Sequence, residues 1–544
     1  MLSSEAATCS WTPHFRDAYA PIMTDDSVQE STRVPPPVSP LRPWHFLLFA
    51  VVYLYGFPYF DRLRSAQEMP RLLLTQEIVD HGTLALDRRL GELGSRNDLS
   101  IGPDRHVYAN KSPGPSFVAI PFYLLAKMLG LTSIRACMWA FRVGAITLPS
   151  LLFLPIFYRL AGRFSKDERA RRAALAAYAI GSPVLVYAQL LLAHQLAAVC
   201  LGTAFYLCVR LVEGDVRRPL LAVAAAGFCA GLAPAMDYQA TLAAPLIGAY
   251  LLVRVPSQRW RRIAVFGLAA LPGLVGLAAY HAACFGSPFR ISYAYGLDRA
   301  PEKGALGFIG PNAQALYNIL LAPSNGLLVL LPWVLLAMVG TIVLFRDRER
   351  RIRVGAEAAT CAAVALVYLL FVGSMLPYMA RGGWSVGPRQ LVASLPFLGW
   401  LAVAGFEVAG RRIGTTVVTS GLVLASTVIF LLAATTFPHW PDGLANPLYE
   451  LAIPLLRQGH SVTSLGTALG LRGFLAAAPL YLLTVGLAVW LLVGHSRRPV
   501  ATALLSLLLA AGIVTGHRFF PKTGPYAQHA LQFAADIAEP PLRR

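Results

Sequence analysis

Arg163-Phe-Ser-Lys-Asp-Glu-Arg-Ala-Arg-Arg172 is a strongly basic connector set between two long apolar runs, and it is the first of six. The others stand at Arg217 and Arg218, Arg254 to Arg262, Arg346 to Arg353, Arg411 and Arg412, and Arg497 and Arg498, each separated from the next by two apolar spans. Lys and Arg close to membrane ends stay on the cytoplasmic side, so the pattern predicts all six connectors inside and the intervening loops outside. The first outside loop, 61–115, is much the richest in polar side chains. Chemistry is expected there.

The composition agrees. The 544 residues are 56% hydrophobic and only 14% charged, with a mean hydropathy of +0.55, which excludes an ordinary soluble globule of this size. Apolar stretches near the roughly 17 to 25 residues that cross a bilayer recur along the chain, and about 13 are counted. They lie near 45–60, 138–161, 173–190, 194–212, 219–235, 240–254, 263–281, 319–345, 354–376, 390–409, 413–437, 472–493 and 500–516. Only helices satisfy their own backbone in lipid at this hydrophobicity, so the fold class is an all-α polytopic membrane protein. Ser116 to Leu131 is apolar but short and contains Pro121. As a full crossing it would invert every later connector, so it reads as re-entrant or interfacial.

The net charge of +19 sits in the connectors rather than on a folded basic domain. That distribution points to orientation and contact with anionic membrane lipids, not to nucleic acid. The seven cysteines contain no C-x-x-C and predict no disulfide framework; Cys137 and Cys284, both near the outer face, are a pair that could meet. Residues 1–43, polar and Pro-rich, read as a disordered cytoplasmic tail, 44–516 as the membrane domain and 517–544 as a short C-terminal tail. Nucleophile elbow, phosphate-binding glycine loop and dinucleotide fingerprint are all missing, which disfavours an enzyme using nucleotide sugars from the cytoplasmic side.

Within the first loop, Pro70 to Asp80 predicts an amphipathic juxtamembrane helix on the outer leaflet, closed by Gly82, with Leu72, Leu73 and Val79 near one face and Arg71, Thr75 and Asp80 away from it. Ser65 to Glu68 resembles a capping box, but that start would put Pro70 inside the helix, so the helix begins near Pro70 and leaves Glu68 just outside it. A carboxylate at that depth is partly desolvated and could serve as a general base. The second half of the loop gathers Asp98, Asp104, His106, Tyr108 and Lys111 before a Pro113-Gly114 corner. Lys111 would meet an anionic head group at the lipid surface, its bland alternative being a snorkelling interfacial lysine.

Elsewhere on the outer side, Gly382-Gly-Trp-Ser-Val-Gly-Pro-Arg389 combines glycines that permit close backbone approach with two fixed cations, Arg381 and Arg389. A guanidinium fork suits a pair of phosphate oxygens, which assigns Arg389 to an anionic ligand. His194 and Asp237 lie at outer ends of spans, where ionisable groups are costly and often line a cavity. No cluster has metal-ligand spacing, although a divalent cation, Mg²⁺ or Mn²⁺, could bridge a phosphate and a carboxylate such as Asp98. No organic cofactor is expected.

Taken together, Arg71-Leu-Leu-Leu-Thr-Gln-Glu-Ile-Val-Asp-His-Gly-Thr-Leu-Ala-Leu-Asp87, Asn97-Asp98 and Tyr108-Ala-Asn-Lys-Ser-Pro-Gly114 resemble bacterial GT-C glycosyltransferases, similar to protein O-mannosyltransferases and the lipid A aminoarabinose transferase. The resemblance continues at Phe285-Gly-Ser-Pro288, Ser324-Asn-Gly-Leu327 and the Gly382 to Arg389 run. It implies an inner-membrane enzyme with its site facing the periplasm. Such an enzyme transfers a sugar from a polyprenyl-phosphate donor to a lipid, glycan or protein acceptor, with inversion at the anomeric carbon. It also implies a first-loop carboxylate as base, and Arg71, His106, Tyr108, Lys111, Arg381, Arg389, His194 and Asp237 as groups around the substrates. Many relatives carry Asp-Glu just after the first span, where this chain has Gln67-Glu68. The base is thereby left open between Glu68 and Asp98, with Asp61 third. Two alternatives stand beside the enzyme: a transporter of lipid-linked saccharides, which predicts ionisable residues through the bilayer centre, and a non-catalytic envelope scaffold.

Overall fold

The computed structural model describes residues 39–94, 98–255, 257–296 and 307–538; most of the predicted N-terminal tail and Asn97 lie outside them. Among the described residues nine helices are long and apolar enough to cross a membrane: Ile134–Phe164, Ala193–Val212, Pro219–Met236, Arg259–Phe285, Arg348–Gly373, Arg389–Ala409, Ile413–Thr435, Gly473–Val493 and Pro499–Phe519. The chain is a multi-pass, all-α membrane protein, but four of the expected spans are shorter or interrupted, each at a Gly or Pro. The first is a helix of nine residues, Phe46–Leu54, stopped by Gly56 and Pro58. Glu168–Ala179 breaks at Gly181-Ser-Pro183 before the short Val184–Tyr187. Ala244–Arg254 has Pro245 in its first turn. The stretch 319–345 is cut by Pro323, Gly326 and Pro332, leaving the four-residue helix Leu327–Leu330 and the longer Leu335–Arg346. Pro removes a backbone donor and clashes with the preceding turn, and helices stop accordingly.

The basic connectors do gather at one end. Arg163 pairs with Glu213 at 3.1 Å and with Glu357 at 3.4 Å, Arg350 with Glu407 at 2.6 Å, and Arg411 with the same Glu407 at 3.6 Å. Arg172 meets His495, and Tyr250, one turn before Arg254, donates to Glu357. Phe371 lies roughly 30 Å along its helix from Arg350 at 1.5 Å per residue, and with the expected outer loops it faces the opposite end.

Small residues let the backbones close up. A Cβ on Gly231 would lie 2.1 Å from the Ala270 carbonyl oxygen, and one on Gly227 2.1 Å from that of Phe266, so helices Pro219–Met236 and Arg259–Phe285 touch backbone to backbone. In lipid, where apolar burial between helices gains little, such contact is the main source of packing. The buried centre is aromatic: Trp400 stacks on Phe157 at 5.5 Å and donates its indole N–H to the Phe157 carbonyl.

Helix Met69–His81 forms where expected, capped by Gly82 at φ 65°. Its residues Met69 to Glu77 are all buried, so the flank expected to face water meets protein instead. The short helix Gly114–Met128, 15 residues, exposes Phe117, Leu124, Leu125 and Met128. At about 22 Å it falls short of a roughly 30 Å hydrocarbon core. Two small antiparallel ladders were not anticipated: Gly56–Phe57 with Thr463–Ser464, and Leu99–Ile101 with Val107–Ala109.

Both presumed tails are partly anchored. Leu41 is buried and donates to Tyr158 Oη, and the Ser39 carbonyl accepts from Arg172. The 517–544 segment holds a helix, Pro525–Ala538. All six described cysteines are free, Cys137 and Cys284 included.

Candidate active site

The hairpin in the first loop sets the first pair of charges. Leu99 is opposite Ala109 and Ile101 opposite Val107, so Asp98 and Lys111 leave the open end of the ladder side by side, with Lys111 Nζ 2.7 Å from Asp98 Oδ1. The Lys111-Ser-Pro-Gly corner docks on the end of helix Pro219–Met236: Ser112 Oγ donates to the Met236 carbonyl at 2.5 Å, and a Cβ on Gly114 would strike the Ala235 carbonyl oxygen at 2.4 Å. Burial alone would lower the Lys111 ammonium, but the Asp98 carboxylate outweighs it and holds the group above its ordinary value and charged.

That same helix end carries Asp237. Helices Ala193–Val212 and Pro219–Met236 form a hairpin, and His194 lies 18 residues before Val212 while Asp237 lies 18 after Pro219. Equal arms bring the two to one height, with His194 Nδ1 2.5 Å from Asp237 Oδ2. Burial pushes the Asp237 carboxyl up, but His194, the Gln239 backbone N–H and Arg71 bring it below the usual range.

The glycine-rich run delivers Arg389. Gly382, Gly383 and Gly387 have φ of 82°, 68° and 64°, a left-handed backbone that residues with a Cβ rarely adopt. The run is pinned by Ser385 N–H to the Trp440 carbonyl and by Tyr187, whose hydroxyl donates to the Val386 carbonyl. Arg389 Nε and Nη1 are buried with no hydrogen-bond partner among the described residues.

These segments enclose one cavity of about 1560 Å³ lined by Arg71, Asp98, Lys111, His194, Asp237 and Arg389. Part of its wall is apolar, with Leu274, Leu277, Phe371 and Met375. Phe533 of the C-terminal helix closes another side, packed edge-on against Trp384 at 5.6 Å. Arg71, Lys111 and Arg389 beside Asp98 and Asp237 on an apolar-walled cavity suit an amphiphile with an anionic head.

The remaining expected residues lie elsewhere. Glu68 is 1% exposed and does not line the cavity. Arg142 grips both its oxygens, Nε at 2.9 Å and Nη2 at 2.7 Å, and the Leu191 N–H donates to it at 2.7 Å. Arg142 sits at a π-helical stretch, Arg142–Thr147, inside its span, and such bulges re-aim side chains. His106 is exposed and pairs with Asp87, Tyr108 donates to Asp104, and Arg381 reaches the Asp442 carbonyl. Asp61 pairs with Arg135. His439, which no sequence pattern marked, lines the cavity and stands 3.6 Å from Glu68. Burial, only partly opposed by Glu68, holds it down at about 4 and therefore neutral.

Among the described residues no three His, Cys, Asp or Glu side chains come together, and Asp98, the carboxylate expected to bridge a cation to a phosphate, is paired with Lys111.

No protein-family model and no curated protein matches the sequence. Among solved structures, the fold is similar to that of ArnT from Cupriavidus metallidurans. In the apo state the identity is 15% and the TM-score 0.45, covering 90% of this chain and 77% of that one. Bound to undecaprenyl phosphate, the same coverage and identity give a TM-score of 0.49. The Archaeoglobus fulgidus oligosaccharyltransferase, tethered to an acceptor peptide, is similar at 13% identity and TM-score 0.43, covering 73% of this chain and 54% of that one.

Proposed function

We propose that the protein is a membrane glycosyltransferase that moves a sugar from a polyprenyl-phosphate donor to an acceptor hydroxyl, inverting the anomeric carbon. Arg389 carries the proposal: it lines the cavity while two of its guanidinium nitrogens are buried with no hydrogen-bond partner among the described residues, and such an uncompensated cation calls for an anion. Lys111 and Arg71 join it, so the charge that develops on the leaving phosphate meets fixed cations in a site partly shielded from water. The apolar wall along Leu274, Leu277 and Phe371 suits the hydrocarbon chain of a lipid-linked donor. The first-loop resemblance supports the same reading, with the site on the periplasmic side of a bacterial inner membrane. Of the two carboxylates expected as base, Asp98 faces the cavity and Glu68 instead fixes Arg142 behind it.

The test is binding of undecaprenyl phosphate to the protein in nanodiscs, together with release of free lipid phosphate from a panel of polyprenyl-phosphate sugars. Wild type should bind and release. Arg389→Gln should weaken binding tenfold or more, since a hydrogen bond to a charged group is worth about 1.5–3 kcal/mol. Binding without release across varied acceptors would favour a transporter. An absence of binding would end the reading.

A further inference from the structure

The proposed phosphate site uses Arg389, Lys111 and Arg71 and leaves the His194–Asp237 pair unassigned, yet the pair is built as a proton-accepting unit on the cavity wall. The two side chains are 12% and 10% exposed, so the contact is shielded but opens on the cavity. Asp237 is held in turn, its Oδ1 accepting from the Gln239 backbone N–H at 3.4 Å. With Nδ1–H donated to the carboxylate, the ring is fixed in one tautomer, and Nε2 keeps its lone pair with no partner among the described residues. The charged groups facing the imidazole are Asp237, Arg389 and Arg71. Asp237 stabilises the positive charge that forms transiently when the ring takes up a proton. The expected carboxylates are less free: both Glu68 oxygens are engaged by Arg142, and Asp98 is occupied by Lys111.

We propose that His194, oriented by Asp237, is the base that takes the acceptor's proton, and that Asp98 is a positioning residue that holds Lys111 toward the donor phosphate. The inference rests on the transferase reading. As the acceptor O–H bond breaks, its proton passes to Nε2 and the oxygen's electron pair forms the new bond to the anomeric carbon. The bond from that carbon to the phosphate oxygen breaks on the opposite face, its electron pair leaving with the phosphate. The imidazolium then gives its proton to water.

The experiment follows kcat and KM for lipid-phosphate release against pH, using the full chain in nanodiscs with polyprenyl-phosphate sugars, for wild type, His194→Gln, Asp237→Asn and Asp98→Asn. Wild-type kcat should fall on an acid limb as the ring protonates. His194→Gln should lower kcat by about 10²–10⁴-fold with donor KM retained and remove that limb. Asp237→Asn should shift the limb to lower pH, because the neighbouring carboxylate that favours the charged ring is gone. Asp98→Asn should raise donor KM and leave the limb in place. Added imidazole should partly rescue His194→Ala, a readout that a merely structural role would not give. A wild-type profile without an acid limb overturns the assignment even if the variants fail to fold. So does His194→Gln turning over at the wild-type rate, or an acid limb lost only in Asp98→Asn. Neither turnover nor donor binding in the wild type would overturn the transferase reading, and this assignment with it.

Discussion

Replacing Glu68 by Gln tests whether this carboxylate holds the site together or does chemistry. Glu68 and Arg142 are 1% and 4% exposed and meet at 2.7 Å. At that separation and an effective dielectric of 20 the attraction is about 6 kcal/mol before desolvation is subtracted. Glu68→Gln strands the Arg142 guanidinium with the Pro58 carbonyl as its remaining strong partner, and breaking one side of a buried pair costs about 3–5 kcal/mol. The expected result is a large fall in the thermal transition followed by intrinsic fluorescence in detergent. Adding Arg142→Met to make the double variant should return much of it, because the uncompensated charge has been removed. The pH dependence has a definite sign. Burial alone would raise the Glu68 carboxyl, but Arg142, His439 and the Leu191 N–H bring it below the usual range. Its stabilisation is therefore fully present above the unfolded carboxyl value and is lost as pH falls through the lower folded one. Unchanged stability in Glu68→Gln, with turnover abolished and donor binding intact, would refute this account and make Glu68 the base.

Lys111→Gln should weaken undecaprenyl-phosphate binding by roughly 10- to 150-fold, the equivalent of about 1.5–3 kcal/mol for a charged hydrogen bond; an unaltered dissociation constant would remove Lys111 from the phosphate site. Gly231→Ala forces a methyl to within 2.1 Å of the Ala270 carbonyl oxygen, so it should cost about 1–3 kcal/mol and lower turnover by displacing Asp237, whereas a variant with wild-type stability and rate would show that the two helices part freely. Burial keeps His439 neutral down to about 4, while the unfolded chain takes up that proton near about 6.5. Stability should accordingly fall as pH drops between those values, and a melt series in which His439→Gln keeps the same slope would contradict it.

Much of the site was legible because charge at the end of an apolar span has few reasons to be there. Arg71, Asp98, Lys111, His194, Asp237 and Arg389, drawn from distant stretches of sequence, line one cavity. The alternation of basic connectors likewise anticipated which chain ends would meet. What stayed hidden depends on long-range return of the chain. Arg142 sits inside an apolar span, and nothing nearby in sequence shows that it reaches back to Glu68. His439 stands in a loop of Pro, Trp and Gly with no spacing to mark it. His106 and Tyr108 share the first loop with Lys111 but lie toward the closed end of the short ladder, where they engage Asp87 and Asp104, whereas Asp98 and Lys111 stand at its open end. The broken spans could have been read more closely: Gly181-Ser-Pro183 and the Pro323 to Pro332 stretch carry their stop signals in plain view.

The equal arms of the hairpin carrying His194 and Asp237 bind two lengths of chain to one another. One residue added to either helix would swing its terminal side chain by about 100° and lift it about 1.5 Å, so the pair would miss. Residues added at the turn between Glu213 and Arg218 leave both arms in register. Insertions and deletions in this protein should therefore collect at that turn, and where one arm has changed by a full helical turn, the other should have changed with it.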